Sequence, residues 1–272
     1  MVDPIQILIG LILSGLIGGL AYRRGSLTKD GWLGAILTGT ATFGFGGWSW
    51  GLLLVTFFVT SSLLSHYKEE VKLARAGEKF EKGGQRDFWQ TMANGGAAAL
   101  VALLYPFLGQ AEWLWYAYIG LMATVTADTW ATELGTLSEA QPRLITTLRP
   151  VETGTSGGIT AFGTLAAALG GLCIGLAALL FSTFGAGFSS ELLFLPLIGL
   201  GSGLAGALCD SLLGATLQSL YRNAQHGLTE RSHDSAGQAN QRVRGLPWMN
   251  NDAVNLLSSL VGGLVACLFA LL

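Results

Sequence analysis

ADTWATELGTLSEAQPRLITTLRPVETGTSGG, residues Ala127–Gly158, decides how the rest of this chain is read. An apolar run, Trp113 to Val125, leads into it and ends at Asp128. Thr129, Thr132 and Glu133 follow, then Arg143 and Arg149, then the turn Thr153–Gly158, and a second apolar run opens at Ile159. Two hydrophobic helices joined by a loop of acids, arginines and a Gly-Ser-Thr turn can hold a metal ion and phosphate groups at a membrane surface.

Composition extends the membrane reading to the whole chain. Of 272 residues, 51% are hydrophobic and 12% charged, and the mean hydropathy is +0.51. Soluble domains carry about 25% charged residues. Runs near the ~20 residues a bilayer needs fall at Pro4–Tyr22, Gly31–Gly47, Gly51–Tyr67, Thr91–Leu108, Trp113–Asp128, Gly157–Phe181, Leu192–Leu220 and Ala253–Leu272. They give an all-α polytopic helix bundle of about seven to eight transmembrane helices, in one domain over residues 1–272. The second and third runs are short, and a re-entrant pair turning at Gly46-Gly47-Trp48 is the alternative for them. The 39 glycines suit helices that approach closely in lipid. A net charge of -2 gives no sign of nucleic acid. Cys173, Cys209 and Cys267 all lie in apolar runs and read as buried thiols. The first run lacks a charged segment before it, so it reads as a retained helix rather than a cleaved signal.

All 15 Lys and Arg residues lie in four connections. Arg23, Arg24 and Lys29 are in the first; Lys68, Lys72, Arg75, Lys79, Lys82 and Arg86 in the second; Arg143 and Arg149 in the third; Arg222, Arg231, Arg242 and Arg244 in the fourth. With eight spans these connections share one side, which the positive-inside rule makes cytoplasmic. Trp48, Trp50, Trp113 and Trp115 then sit where an outer aromatic belt belongs. Lys68–Asp87 reads as a solvated or amphipathic segment of mixed charge. Arg222–Pro247, with His226, His233, Asp234 and Asn240, is polar and can serve as a mobile lid.

Asp210 is the sharpest single residue, because a carboxylate inside an apolar run is costly unless it has a function or a partner. Gly206 and Gly214 flank it at four residues on either side, so its helix face can approach another helix or a ligand. Helix packing through a hydrogen-bonded or protonated Asp is the other reading. Ala127-Asp128-Thr129 and Cys209-Asp210-Ser211 form an echo near the ends of two runs that cross in the same direction. Asp128 and Asp210, brought together, suit Mg²⁺, which takes one or two carboxylates plus substrate phosphate. Glu133 lies five residues from Asp128, about 140° round a regular helix, and joins it only if the helix ends between them. Thr155, Ser156 and the backbone around Gly154, Gly157 and Gly158 can cradle phosphate at a helix start, or simply cap that helix. Arg149, Arg143 or Arg86 can neutralise phosphate charge. Asn94, and Asn251 with Asn255 on one face continued by Ser259, are either interhelical glue or further ligands.

ADTWATELG, PRLITT, GTSGGIT, CDSLLGATLQ, QTMANGG and NNDAVNLLSS resemble the integral-membrane family that contains the plastid phytyl-phosphate kinase of vitamin E synthesis and animal transmembrane homologues. The chain is more distantly similar to CTP-dependent polyprenol kinases and CDP-diacylglycerol synthases. The resemblance spans about Arg23 to the C-terminus and is weakest over Arg222–Gly245. It implies phosphoryl transfer from a nucleoside triphosphate (CTP or ATP) to phytyl phosphate or a similar prenyl phosphate, giving the diphosphate, as in tocopherol synthesis. It implies Mg²⁺ held by Asp128 and Asp210, with Glu133 or Asn251 as further candidates. Arg86, Asn94, Glu133, Arg143, Gly154, Thr155, Ser156, Gly157, Gly158, Ser211, Asn251 and Asn255 would bind substrate or nucleotide, and Arg149 would act at the transferred group. The location implied is a bacterial inner membrane or a plastid membrane, with the site on the cytoplasmic side. A cytidylyltransferase acting on a lipid phosphate, and a transporter or flippase of such a lipid, are the alternatives.

Overall fold

The computed structural model describes residues 2–77, 79, 84–223, 227–234, 236–269 and 271. Lys82 of the second connection and His226 of the fourth lie outside them. The chain is a helical bundle: α1 (Pro4–Arg23), α2 (Lys29–Ala41) prolonged by a π-turn (Thr42–Gly46), α3 (Trp48–His66), α4 (Glu69–Ala76), α5 (Phe88–Leu104), α6 (Glu112–Gly135), α7 (Ala161–Ala186), α8 (Leu195–Thr216) and α9 (Asn251–Phe269). Among the described residues five helices are long and apolar enough to cross a membrane: α1, α3, α7, α9, and α8 with the 3₁₀ turn before it. The turn between the second and third apolar runs falls at Gly47, where φ is +96°.

α1 shows how a membrane helix inverts the soluble pattern. Gly10, Ser14, Gly18 and Ala21 face inward, while Ile5, Leu8, Ile12, Leu16 and Leu20 are exposed. Lipid is as apolar as leucine, so small residues that permit close packing take the inner face. α6 is the opposite case. Residues Ala117 to Ala127 are buried without a break, as expected of a helix enclosed on all sides. α3, α5, α7, α8 and α9 all pack against it. At the lower end of α6 the ring of Trp50 lies 4.5 Å from Tyr118 and 5.2 Å from Trp115, and Tyr118 Oη donates to the Trp50 carbonyl at 2.7 Å. Trp48 and Trp113 are exposed, as a belt requires, but Trp50 is 4% exposed. Trp50 and Trp115 therefore belong to the core, because stacking and burial outweigh an interfacial position for them.

The four basic connections meet at the other end. Arg86 N donates to Ser26 O at 3.0 Å and Thr28 N to Arg86 O at 3.1 Å, joining the first to the second. Lys72 pairs with Glu133, and Lys79 with Glu152 at 2.7 Å, joining the second to the third. Arg231 Nη2 donates to Gly77 O at 3.0 Å and Ser156 Oγ to Glu230 at 2.6 Å, bringing in the fourth. The third connection holds a two-stranded ladder, β1 (Arg143–Leu144) with β2 (Gly158–Ile159). The fourth folds into a three-stranded antiparallel sheet of β3 (Leu220–Arg222), β4 (Leu228–Thr229) and β5 (Gln241–Arg244), in the order β4-β3-β5.

Candidate functional site

α6 and α8 bring Asp128 and Asp210 together within hydrogen-bonding reach of each other. Small residues one turn below make this possible. A Cβ on Gly206 would land on Thr124, and one on Gly120 would land on the Gly262 backbone. Thr124 donates to its own helix at Gly120 O, 2.9 Å, and lies 3.3 Å from Ser202 O. This three-helix junction of α6, α8 and α9 forms a closed floor. Above it Ser258 of α9 donates to Asp210 Oδ2 at 3.1 Å. The Asn255 amide lies 3.2 Å from Asn94 Oδ1 and, with its nitrogen turned to the carboxylate, 3.2 Å from Asp210 Oδ2. Gly214, the other flanking glycine, packs against the Ser156–Gly157 backbone.

Over this floor is a cavity of about 360 Å³. Its lining includes Asp128, Asp210, Ser211, Arg86, Asn94, Asn251, Asn255, Glu133 and all of Thr153–Gly158. α4 roofs it through Glu69, Lys72 and Leu73, with Gly77 just past its end. Lys68–Asp87 is thus not simply a solvated segment. Lys72 is 8% exposed and donates to Leu64 O and Ser65 O at 2.7 Å as well as to Glu133. Wherever a charged amine is buried it must find such partners.

Glu133 and the arginines stand differently from the expectation. α6 does not end between Asp128 and Glu133 but continues to Gly135. Glu133 is held by Lys72 and by Ser65 Oγ at 2.6 Å, so it is spent on anchoring α4. Arg143 and Arg149 are exposed and absent from the cavity wall. Leu144 N donates to Arg149 O and Leu148 N to Leu144 O, and this tight turn carries both side chains outward. Arg143 donates instead to Leu148 O at 2.9 Å.

The Gly-Ser-Thr turn does not open the helix. α7 begins at Ala161 and is capped by Thr160, whose hydroxyl accepts from Gly163 N at 2.9 Å. β2 lies between turn and helix. Gly158 N is bonded to Thr155 O and Thr155 N to Glu152 O, so two of the N–H groups expected to cradle phosphate are used within the turn. Gly157 has φ +82°, and a Cβ there would sit 2.5 Å from Ala215 Cβ. Its glycine is required by chain path and by contact with α8.

Sequence reasoning missed Glu230, Ser258 and Lys72. Glu230 is 9% exposed, lines the cavity and accepts from Ser156 Oγ and from Gln218 Nε2 at 2.9 Å. Nothing in its polar loop marks it. Ser258 had a signal, three residues beyond Asn255; Ser259, chosen instead, donates to Leu256 O. Among the described residues the cavity wall carries five carboxylates (Glu69, Asp128, Glu133, Asp210, Glu230) and three cations (Lys72, Arg86, Arg231). Among the described residues no three His, Cys, Asp or Glu side chains form a group that could hold a metal ion by themselves. Burial pushes the Arg86 guanidinium down from its usual range while Glu133 opposes that shift, and Lys79 holds the Glu152 carboxyl below its own.

The model of the family described as integral membrane protein DUF92 matches residues 12–263. The chain belongs to that family. Protein PGR of Arabidopsis thaliana is 37% identical over 275 residues, covering 94% of this chain and 93% of that protein. An uncharacterized membrane protein of Methanocaldococcus jannaschii is 34% identical, covering 98% of this chain and 97% of its own length. One from Synechocystis is 29% identical over 88% of this chain. No solved structure matches the chain. The DUF92 match takes in Arg86, Asp128, the Thr153–Gly158 turn, Asp210, Glu230 and Ser258, so the whole cavity belongs to the part that defines the family.

Proposed function

We propose that this protein is a membrane phosphotransferase that moves the terminal phosphoryl group of CTP or ATP to a prenyl monophosphate, giving the diphosphate. The observation that carries the reading is the pairing of Asp128 and Asp210 at the floor of a cavity whose carboxylates outnumber its cations. Two adjacent carboxylates repel unless a proton or a cation lies between them. A polyphosphate would be repelled by the same surplus unless divalent cations came with it.

The residues present fit Mg²⁺. Asp128 and Asp210 would hold it, with substrate phosphate and water completing its shell, which is how Mg²⁺ is usually bound. When bound it would neutralise charge on the phosphoryl group in transfer. The rest falls to the chain. Thr155 lines the cavity beside Ser156, whose own proton goes to Glu230, so the Thr155 hydroxyl is the one left to donate to phosphate. Arg86 supplies a fixed cation, and the amides of Asn94, Asn251 and Asn255 orient oxygens around the pair. The attacking phosphate oxygen is already ionised, so no strong general base is needed and positioning dominates. The acceptor's hydrocarbon tail would run between helices toward lipid, and the site would face the cytoplasm.

The test is turnover by purified protein in lipid with Mg²⁺, each nucleotide and a panel of prenyl phosphates. Diphosphate product with CDP or ADP is expected. Release of pyrophosphate would replace the reading with nucleotidyl transfer, which the same groups serve. Nucleotide-independent counterflow of the lipid phosphate, with no turnover, would replace it with transport.

A further inference from the structure

A second cavity lies beside the first. Its walls come from α1, α2, α3 and α5. The Ser14, Thr38 and Thr91 hydroxyls in it are bonded to carbonyls of their own helices, so the crevice below its head is hydrocarbon, aromatic ring and glycine. Such a space stays dry. It holds about 60 Å³ against about 360 Å³ for the polar cavity, room for a slender chain and not for a nucleotide. From Ala35 to Phe43 it follows α2 for roughly 12 Å at 1.5 Å per residue.

Arg86 and Asn94 line both cavities. Arg86 is half-buried; its guanidinium donates to Ser62 Oγ at 3.1 Å and lies 5.7 and 5.9 Å from the Phe57 and Phe58 rings. Among the described residues no carboxylate oxygen comes within 4.0 Å of it. A guanidinium has five N–H donors, and a cation partly withdrawn from water without a close counter-ion is costly. An anionic ligand at the junction offsets that cost.

We propose that Arg86 and Asn94 bind the phosphate of the lipid acceptor and that its single hydrocarbon chain threads into the crevice between α1, α2, α3 and α5. This rests on the phosphotransfer reading and divides its site. The acceptor enters from the Arg86 side, and the nucleotide phosphates lie toward Ser156 and the carboxyl pair. The narrow crevice selects single-chain lipid monophosphates over two-chain phosphatidic acid.

The experiment is photolabelling in nanodiscs, without nucleotide, by farnesyl monophosphate carrying a terminal diazirine, with adducts mapped by mass spectrometry. Adducts are expected on Ala35, Val55 or Phe58, displaced by unlabelled farnesyl phosphate and about tenfold less well by phosphatidic acid. A Cβ at Gly95 meets nothing closer than Thr38 Cγ2 at 3.4 Å, so Gly95→Ala narrows the crevice without breaking the helix packing. Labelling should fall in that variant, with unchanged elution on gel filtration. Competed adducts on Leu204 or Leu208 of α8 instead would overturn the crevice while leaving the phosphotransfer reading intact. Equal displacement by phosphatidic acid would overturn the single-chain selection. Absence of competed adducts, in protein that turns over farnesyl phosphate, would overturn the crevice alone; absence of both would remove both readings.

Discussion

Asp210 and Gly157 show what a single residue contributes at this site. Asp210 accepts from Ser258 and neighbours Asp128. Asp210→Asn keeps the shape and an acceptor oxygen for Ser258 but removes the charge. If the residue only glues helices, the amide serves as well. If it binds Mg²⁺, losing several kcal/mol of charge stabilisation lowers turnover by roughly 10²-fold or more. The measurement is diphosphate formation by protein shown to be inserted and monodisperse; full activity there would falsify the metal assignment. Gly157→Val acts differently. A positive φ costs a β-branched residue about 1–3 kcal/mol, and the added Cβ meets Ala215. The variant should lose thermal stability as well as nucleotide affinity, and an unchanged melting temperature would return Gly157 to a purely phosphate-facing role. The carboxyl pair was legible in the sequence because an acid in an apolar run has few innocent explanations. Glu230 was not, since in a polar loop every charge looks alike until the fold turns one inward.

At the scale of elements, apolar runs located the helices, and flanking glycines located where they touch. Gly206 and Gly214 both make the approaches their spacing suggested. The connections were much less legible. Arg149 seemed close to the phosphate turn because it is five residues from Gly154, but the turn of residues 144–149 points it outward. Arg149→Ala should therefore change turnover less than twofold, within the range of ordinary surface substitutions. α4 and the segment that follows it are held over the cavity by two ion pairs of unequal worth. Lys72–Glu133 is buried, and Lys79–Glu152 has its carboxylate 83% exposed. Breaking a buried pair costs about 3–5 kcal/mol, whereas an exposed pair is worth about 0–1 kcal/mol. Lys72→Met should thus lower the melting temperature strongly, and Glu152→Gln hardly at all. The pH dependence has a definite sign. Lys79 depresses the Glu152 pKa, so that small contribution is present above the ordinary carboxylate range and fades as pH falls through the depressed value. A Glu152→Gln variant as unstable as Lys72→Met would contradict the ranking.

The whole molecule has two chemically distinct ends. One gathers all four basic connections, both small sheets, the cavity and the carboxyl pair. The other, around Trp48, Gln110 and Gly187, carries no Lys or Arg. The fold requires the four connections to be on one side, because they bond to one another. The proposed reaction needs that side to face the cytoplasm, where nucleoside triphosphates are available, and the positive-inside rule predicts the same orientation. Single cysteines test it, in a background with Cys173, Cys209 and Cys267 replaced. Arg149 and Phe188 are suitable positions: both are exposed, at opposite ends, and neither has the positive φ that would strain a cysteine at Gly187. Arg149→Cys should react with an impermeant maleimide only after the membrane is opened. Phe188→Cys should react in intact cells. The reverse pattern would put the carboxyl pair outside, away from cytoplasmic nucleotide, and phosphotransfer would fail with it even if the helices stayed where they are.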